Sequence, residues 1–138
     1  MSHVKSVLTL ILIITLVLGS FTIPVSAQVS DISGHWAESR ISAWIEKGWA
    51  SGYSDGTFKP NNSVTRAEFM TLANKAFDFT ESTAPNFSDI STSDWYYGEV
   101  AKAVAAGYIS GYEDGTIRPK NPISRQEAAA MLARILEL

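Results

Sequence analysis

The chain has 138 residues, 11 Lys+Arg against 14 Asp+Glu, a formal net charge of −3 at pH 7 and no cysteine. The lack of cysteine excludes disulfide bonds and a lipid-anchored lipoprotein. A mildly acidic chain has no overall attraction for polyanions, which argues against nucleic acid as a partner. Any anion that it binds must therefore be met by locally placed cations.

The first 27 residues have the layout of a secretory signal peptide. Lys5 gives a positive start, an apolar run follows from Val7 to Leu18, and Val25-Ser26-Ala27 places small residues at a cut site. The run has 12 residues, fewer than the roughly 20 needed to span a bilayer. An uncleaved anchor extending to Ala27 is the disfavoured alternative, because glycine, serine and proline interrupt it. The sequence thus predicts an exported domain with no membrane span after cleavage.

The rest of the chain contains one unit twice. Aligning Trp36 with Trp95 places the later landmarks 59 residues apart, and 12 of the 44 residue pairs from Trp36 to Phe79 are identical. Such a repeat is a supersecondary unit that cannot bury its apolar face alone. We therefore divide the chain into the signal peptide (1–27), repeat 1 (28–85) and repeat 2 (86–138).

Each repeat opens with a predicted helix. In repeat 1, apolar residues recur at helical spacing between Trp36 and Lys47, and Gly48 suits a helix end. Aromatic residues at this spacing are more often core than ligand platforms, so Trp44 is expected in the core. For Trp36 and Trp95 the core interpretation is also favoured, although a sugar-stacking role stays open because both occupy one repeat position.

A loop with an Asp-Gly turn follows in each repeat, at Gly56 and Gly115, and continues in extended form to a proline. The pattern suggests a calcium loop, but the spacing fails. With Gly56 at loop position six, positions one, three and twelve hold Ser51, Tyr53 and Asn62 instead of acidic ligands. The two glycines are therefore predicted to be structural.

A second helix begins after each loop, and its start is the most clearly specified feature of the sequence. Thr65 with Glu68, and Ser124 with Glu127, form Ser/Thr-x-x-Glu capping boxes. In a capping box the hydroxyl accepts from the backbone amide of the third helical residue, and the glutamate accepts from the amide of the cap residue. These four residues are assigned a structural role.

Arg66 and Arg125 stand at the first helical position, where the helix dipole makes a cation unfavourable by about 0.3–1 kcal/mol. Free amides and a guanidinium at a helix start make a good anion site. Alternatively, each arginine pairs with an acidic side chain of a neighbouring helix. Both interpretations stay open from the residues alone. Further cations, including Lys59 and Arg118, gather around the same loops.

No enzyme is indicated. Glu68 and Glu127 are a poor carboxylate pair for glycoside cleavage because both serve as caps. His35 is the single histidine after the predicted signal peptide, so neither a metal site nor a catalytic triad is expected, and no cofactor is. The expected fold is mainly α: tandem helix–loop–helix repeats packed as a small helical bundle with short extended loop segments.

The repeats resemble the S-layer homology (SLH) domain family. The resemblance rests on SDISGHWAESRI, GYSDGTFKPNNSVTRAEF, SDISTSDWYYGEV and GYEDGTIRPKNPISRQEA, and it covers essentially all of residues 28–138. Thr-Arg-Ala-Glu at 65–68 matches the family hallmark. Membership implies a secreted protein at the cell wall or cell surface. There it would bind secondary cell wall polymers non-covalently, often through pyruvylated sugars, and so anchor exported proteins.

The resemblance also implies a set of site residues. The hallmark arginine is associated with the anionic polymer in the family, a role that falls here on Arg66 and Arg125. Trp36 and Trp95 match the family tryptophan that follows the acidic opening of each repeat. Together with the nearby cations, the candidate polymer-binding residues are Arg66, Arg125, Trp36, Trp95, Lys59 and Arg118.

The chain departs from the family pattern in repeat number. The family commonly has three repeats around a pseudo-threefold bundle with ligand grooves between neighbours, whereas two are found here. We therefore expect the second helices to leave an apolar face open, and a homo-oligomer or other SLH repeats to cover it. Structural self-assembly, with polymer binding secondary, is the alternative function.

Overall fold

The computed structural model describes residues 29–138, and the predicted signal peptide lies outside this range. The described part is mainly helical, as predicted. Its elements are α1 (Glu38–Glu46), α2 (Arg66–Ala76), α3 (Tyr97–Ala105) and α4 (Arg125–Ile135). Pairing of extended backbone within this range is limited to one antiparallel bridge, Thr65 with Pro122. None of the described helices is long and apolar enough to cross a membrane.

The capping boxes of both second helices are confirmed. Thr65 Oγ1 accepts from the Glu68 amide at 3.3 Å, and the Glu68 carboxylate accepts from the Thr65 amide at 2.7 Å. Ser124 and Glu127 repeat the exchange at 3.2 Å and 2.8 Å. The helix starts at α2 and α4 are therefore equivalent in local structure.

The two loops also have the same structure. Gly56 and Gly115 turn the chain with φ of +78° and +77°, in the left-handed region that glycine enters without steric cost. Further along each loop, a carboxylate accepts two successive backbone amides. Asp31 accepts from Phe58 and Lys59, both at 2.7 Å. Asp89 accepts from the equivalent residues of repeat 2 at 2.9 Å and 2.7 Å.

The main core lies between α2 of repeat 1 and the helices and loop of repeat 2. Helices α2 and α3 pack against each other, and α3 buries Val100, Ala101 and Ala103. By contrast, α1 has no buried residue. The buried cluster consists of Ala67, Met70, Ala73, Tyr96, Val100, Ala103, Tyr108, Ile109, Ile117 and Met131.

The core positions predicted for three tryptophans are wrong. Trp44 is 44% exposed because α1, unlike α3, packs against no second helix of a preceding repeat within the described residues. Trp36 and Trp95 are 86% and 65% exposed, because they lie in the turns before α1 and α3 rather than on a helix face. The open apolar face expected on the second helices is present on α4, where Leu132 and Leu136 are exposed.

Candidate functional site

Arg66 joins the two repeats. Its side chain leaves the start of α2, is almost fully buried, and donates from Nε to the Ile117 carbonyl at 2.8 Å. Its Nη1 lies 3.0 Å from Glu127 Oε1, and the guanidinium carbon lies 4.9 Å from the centre of the Tyr112 ring. The structure thus places Arg66 in an ion pair with a neighbouring helix, one of the two alternatives left open by the sequence. We call Tyr112, Glu127 and the Ile117 carbonyl the filled seat.

The charge of Glu127 is strongly stabilised within the filled seat. The Tyr112 hydroxyl donates to Oε1, and the Ser124 amide donates to Oε2 at 2.8 Å. These two bonds lower the pKa of Glu127 to about 2, with a smaller contribution from Arg66. The same hydrogen bond raises the pKa of Tyr112. Glu127 is therefore an anion at neutral pH and matches the guanidinium.

The start of α2 is also closed by backbone contacts from repeat 2. The Arg66 amide donates to the Asn121 carbonyl and the Ala67 amide to the Pro119 carbonyl, both at 2.9 Å. These amides are consequently not available to an external anion. The Arg125 side chain at the start of α4 is exposed, and it makes no hydrogen bond or ion pair with any described residue.

Repeat 1 carries an equivalent seat without an arginine. The Tyr53 hydroxyl donates to Glu68 Oε1 at 2.6 Å, and Oε2 accepts from the Thr65 amide at 2.7 Å. The bond to the carboxylate raises the pKa of Tyr53 to about 12. The pKa of Glu68 is lowered because the bonds from Tyr53 and Thr65 outweigh the opposing effect of burial. We call Tyr53, Glu68 and the Phe58 carbonyl the open seat.

The cavities at the two seats differ in size. The cavity at the filled seat has a volume of about 160 Å³, and an open groove of about 590 Å³ contains the open seat. Apart from Arg66 itself, every residue that lines the smaller cavity has its counterpart, 59 residues earlier, in the wall of the groove. The shared positions in repeat 1 are Ala50, Ser51, Gly52, Tyr53, Glu68, Thr71, Leu72 and Lys75.

The groove extends beyond the open seat to repeat 2 and is positively charged. Trp95, Pro119 and Lys120 line it from repeat 2, and Lys59 and Lys75 line it from repeat 1, whereas Glu68 is its single acidic lining residue. An exposed indole beside several ammonium groups is an arrangement that suits a sugar bearing an anionic group. The groove therefore brings together two of the predicted candidates, Lys59 and Trp95.

The other candidates lie elsewhere. Trp36 occupies the repeat position of Trp95 but lines neither cavity. Arg118 is the counterpart of Lys59, and its guanidinium carbon lies 4.0 Å from the centre of the Tyr112 ring at the filled seat. Arg118 and Lys59 each pair at 2.9 Å with an aspartate four residues earlier, so both cations are held in place while remaining exposed.

Sequence reasoning missed several residues of the site. Tyr53 and Tyr112 receive no functional role from the sequence, and Lys75 and Lys120 are not among its candidates. For the two tyrosines a signal was available, because they recur 59 residues apart, as the two capping glutamates do. The sequence could not predict which glutamate pairs with Arg66, because the two residues in contact are 61 positions apart in the chain. No group of three or more potential metal-ligating side chains occurs in residues 29–138.

Fold and site together define a helical tandem-repeat protein in which an arginine of one repeat contacts a hydrogen-bonded tyrosine and glutamate of the next repeat. The family model of the S-layer homology domain matches residues 30–70 and 86–129. The chain therefore belongs to the S-layer homology domain family, as the sequence resemblance indicated.

Several curated proteins have sequences similar to this chain. The chain is similar to Cell surface glycoprotein 1 (37% identity, 81% of this chain and 5% of that protein) and to the Cellulosome-anchoring protein (38%, 75% and 24%), both of Acetivibrio thermocellus. It also matches the Surface-layer 125 kDa protein of Lysinibacillus sphaericus (31%, 86% and 10%). The chain thus spans less than a quarter of the length of each relative. The names of these relatives refer to the cell surface, to cellulosome anchoring and to a surface layer, and enzymes such as an amylopullulanase also occur among the relatives.

Proposed function

We propose that the two repeats form a non-covalent anchor at the cell surface that binds an anionic cell wall polysaccharide in the groove between them. The observation that carries this proposal is the composition of the groove wall. Three lysines and an exposed indole line a cavity of about 590 Å³ in a chain whose net charge is −3. A local concentration of cations on an acidic protein attracts an anionic ligand to one place.

The proposed roles follow from the chemistry of the wall. Trp95 stacks on the apolar face of a sugar ring, while Lys59 and Lys120 meet its anionic group. A carboxylated sugar of the secondary cell wall polymer, such as a pyruvylated residue, has both features. Arg66 acts as a positioning residue, because its buried contacts hold repeat 2, with Trp95, against repeat 1. Trp36 and Arg118 would take equivalent roles only where a further repeat forms another groove.

We assign no catalytic role to the two repeats. Their two best-placed carboxylates, Glu68 and Glu127, are used in capping boxes and tyrosine bonds. The relatives that are enzymes are far longer than this chain, the amylopullulanase match covering 6% of that protein. The partners proposed for this chain are the wall polysaccharide and further SLH repeats, either on a second copy or on another protein.

The test is co-sedimentation of residues 28–138 with purified cell walls that keep or lack their pyruvylated polymer. Binding is expected with the complete walls only. Trp95→Ala and Lys120→Gln should each weaken it by about tenfold or more, since each removes a stacking or charged contact worth about 1–3 kcal/mol. Because the cation contacts are screened, binding should also fall with added salt.

Lys47→Gln is the matched control, because Lys47 is an exposed lysine that does not line the groove. It should bind as the unmodified protein does. Binding that is equal on both wall preparations, or that the two groove variants leave unchanged, would overturn the proposal.

A further inference from the structure

We propose that the open seat of repeat 1 receives Arg125 of a second copy, so that two chains join head to tail through a contact equivalent to the one between the repeats. This inference deepens the proposed function, on which its biological use rests, by identifying the partner repeat and the residues that meet. Arg125 would enter the repeat 1 end of the groove at Tyr53 and Glu68, which leaves the repeat 2 end at Trp95 and Lys120 to the polysaccharide. The association itself can be tested without wall material.

The filled seat shows what an arginine requires there. Arg66 is held by a carboxylate, a carbonyl oxygen and a tyrosine ring, namely those of Glu127, Ile117 and Tyr112. The open seat offers the same three groups. Tyr53 and Glu68 are already hydrogen-bonded to each other in the same way as their counterparts. No hydrogen bond of the described residues reaches the Phe58 carbonyl oxygen. The acceptor set is thus complete before the arginine arrives, which reduces the ordering cost of binding.

The backbone around the open seat also matches. At the filled seat, the carbonyls of Pro119 and Asn121 accept the first two amides of α2. Their counterparts are Pro60 and Asn62, both of which line the groove. Within residues 29–138, neither of these two carbonyls accepts a backbone hydrogen bond from another loop. They are placed to accept the first amides of a helix entering from outside.

Helix α4 supplies the complementary end. It starts with a capping box equivalent to that of α2, and Arg125 occupies the position of Arg66. The Arg125 side chain is exposed, and its backbone amide and that of Gln126 find no partner in a loop of the described chain. One chain thus carries an arginine without an acidic partner and a carboxylate without an arginine, which is electrostatic complementarity between two copies.

Apolar surface adds to the same contact. In the internal contact, Val100 of α3 is fully buried and packs in the core cluster with Met70 of α2. The counterpart of α3 is α1, which has no buried residue and leaves Trp44 exposed, while α4 leaves Leu132 and Leu136 exposed. Docking α4 of one copy beside α1 of another would cover both faces at once.

Such a contact is heterologous, since each chain contributes a different surface. It makes a direct complementation test possible. Arg125→Gln keeps an intact open seat, and Glu68→Gln keeps the arginine together with a residue that still completes a capping box. By sedimentation velocity, the unmodified protein should associate into dimers or longer assemblies. Each variant alone should associate at least about thirtyfold more weakly, as expected for loss of one partner from a desolvated charge pair.

Mixing the two variants is the decisive step. The mixture should contain dimers, because one unmodified contact forms between Arg125 of one chain and Glu68 of the other. It should contain no longer assemblies, because the two remaining ends are both inactivated. Lys47→Gln is the control, because the counterpart of Lys47 in the internal contact, Ala106, is exposed. This control should associate as the unmodified protein does.

A monomeric unmodified protein at high concentration, or a mixture that behaves as the sum of its parts, would overturn the inference. Arg125 is exposed, so its replacement leaves the fold intact and keeps the test decisive even if Glu68→Gln folds poorly. Wall binding by a protein that stays monomeric would contradict this inference alone. Association without wall binding would contradict only the proposed function.

Discussion

Arg66 and Arg125 begin equivalent helices, yet the first is buried against Glu127 and the second is exposed to solvent. The capping boxes beside them are the same, and so are the loops that precede them. The difference arises from what lies next to each repeat. A repeat follows α2 and supplies a carboxylate, whereas the described chain offers none to α4. The arginine is therefore a coupling residue whose environment depends on the neighbouring repeat.

The largest expected difference between the repeats is in how much each arginine contributes to the free energy of unfolding. Arg66→Ala removes a buried ion pair and leaves Glu127 and the Ile117 carbonyl without their partner. Loss of one member of a buried pair is costly, so the free energy of unfolding should fall by about 2–4 kcal/mol. Arg125→Ala should change it by less than about 0.5 kcal/mol in dilute protein. Urea unfolding monitored by circular dichroism measures both.

Equal losses in the two variants would contradict the coupling role of Arg66. Arg66→Lys sharpens the test. A lysine keeps the charge but cannot donate to Glu127 and the Ile117 carbonyl with the geometry of a guanidinium. It should recover only part of the lost stability.

The next difference concerns acid stability. The pKa of Glu127 is lowered from 4.5 to about 2 in the folded protein, so between these values the unfolded chain binds more protons. The stabilisation is complete above pH 4.5 and is lost as the pH falls towards 2. Glu127→Gln should therefore be less stable than the unmodified protein at pH 7 and show a flatter decline in acid.

Glu68→Gln is the matched variant for this measurement. The pKa of Glu68 is also lowered, but without an arginine contact. Glu68→Gln should lose less stability than Glu127→Gln at neutral pH. Its loss of stability in acid should stay closer to that of the unmodified protein. Unfolding midpoints in urea across this pH range provide the comparison, and indistinguishable pH profiles for the two variants would count against the difference between the seats.

The first helices provide a third comparison. Val100 of α3 is fully buried, while its counterpart Ile41 on α1 is only half-buried. Val100→Ala should lower the free energy of unfolding by about 2 kcal/mol, because it removes buried methyl groups and leaves a cavity. Ile41→Ala, although it removes more atoms, should cost less than about 1 kcal/mol in dilute protein. A larger loss for Ile41→Ala would mean that α1 has a packing partner.

These comparisons show how much the sequence could predict. The helix starts at Thr65 and Ser124 were predicted correctly because a capping box is local and spans four residues. The positions of Trp36, Trp44 and Trp95 were predicted wrongly. Burial depends on which helix lies opposite. Helical spacing alone cannot tell α1, which has no such neighbour within residues 29–138, from α3, which packs on α2.

The site was predictable only in part, for the same reason. Lys59 and Trp95 were candidates and do line one groove. The partner of Arg66 was not predictable, since both a wall anion and a neighbouring carboxylate suit a guanidinium at a helix start. Only the placement of repeat 2 decides between them, through a contact with Glu127 that has no local signature in the sequence.

The turn glycines should show the smallest difference between the repeats, because replacing either one is expected to cost the same stability. Gly56 and Gly115 have nearly the same positive φ, and an added Cβ would meet no atom within 4 Å at either position. Replacement by alanine therefore costs only the strain of a left-handed backbone, about 1–2 kcal/mol. Thermal or urea unfolding should give the same loss for both variants. Since the turn is local, a clear inequality would mean that neighbouring repeats constrain the loops as well as the arginines.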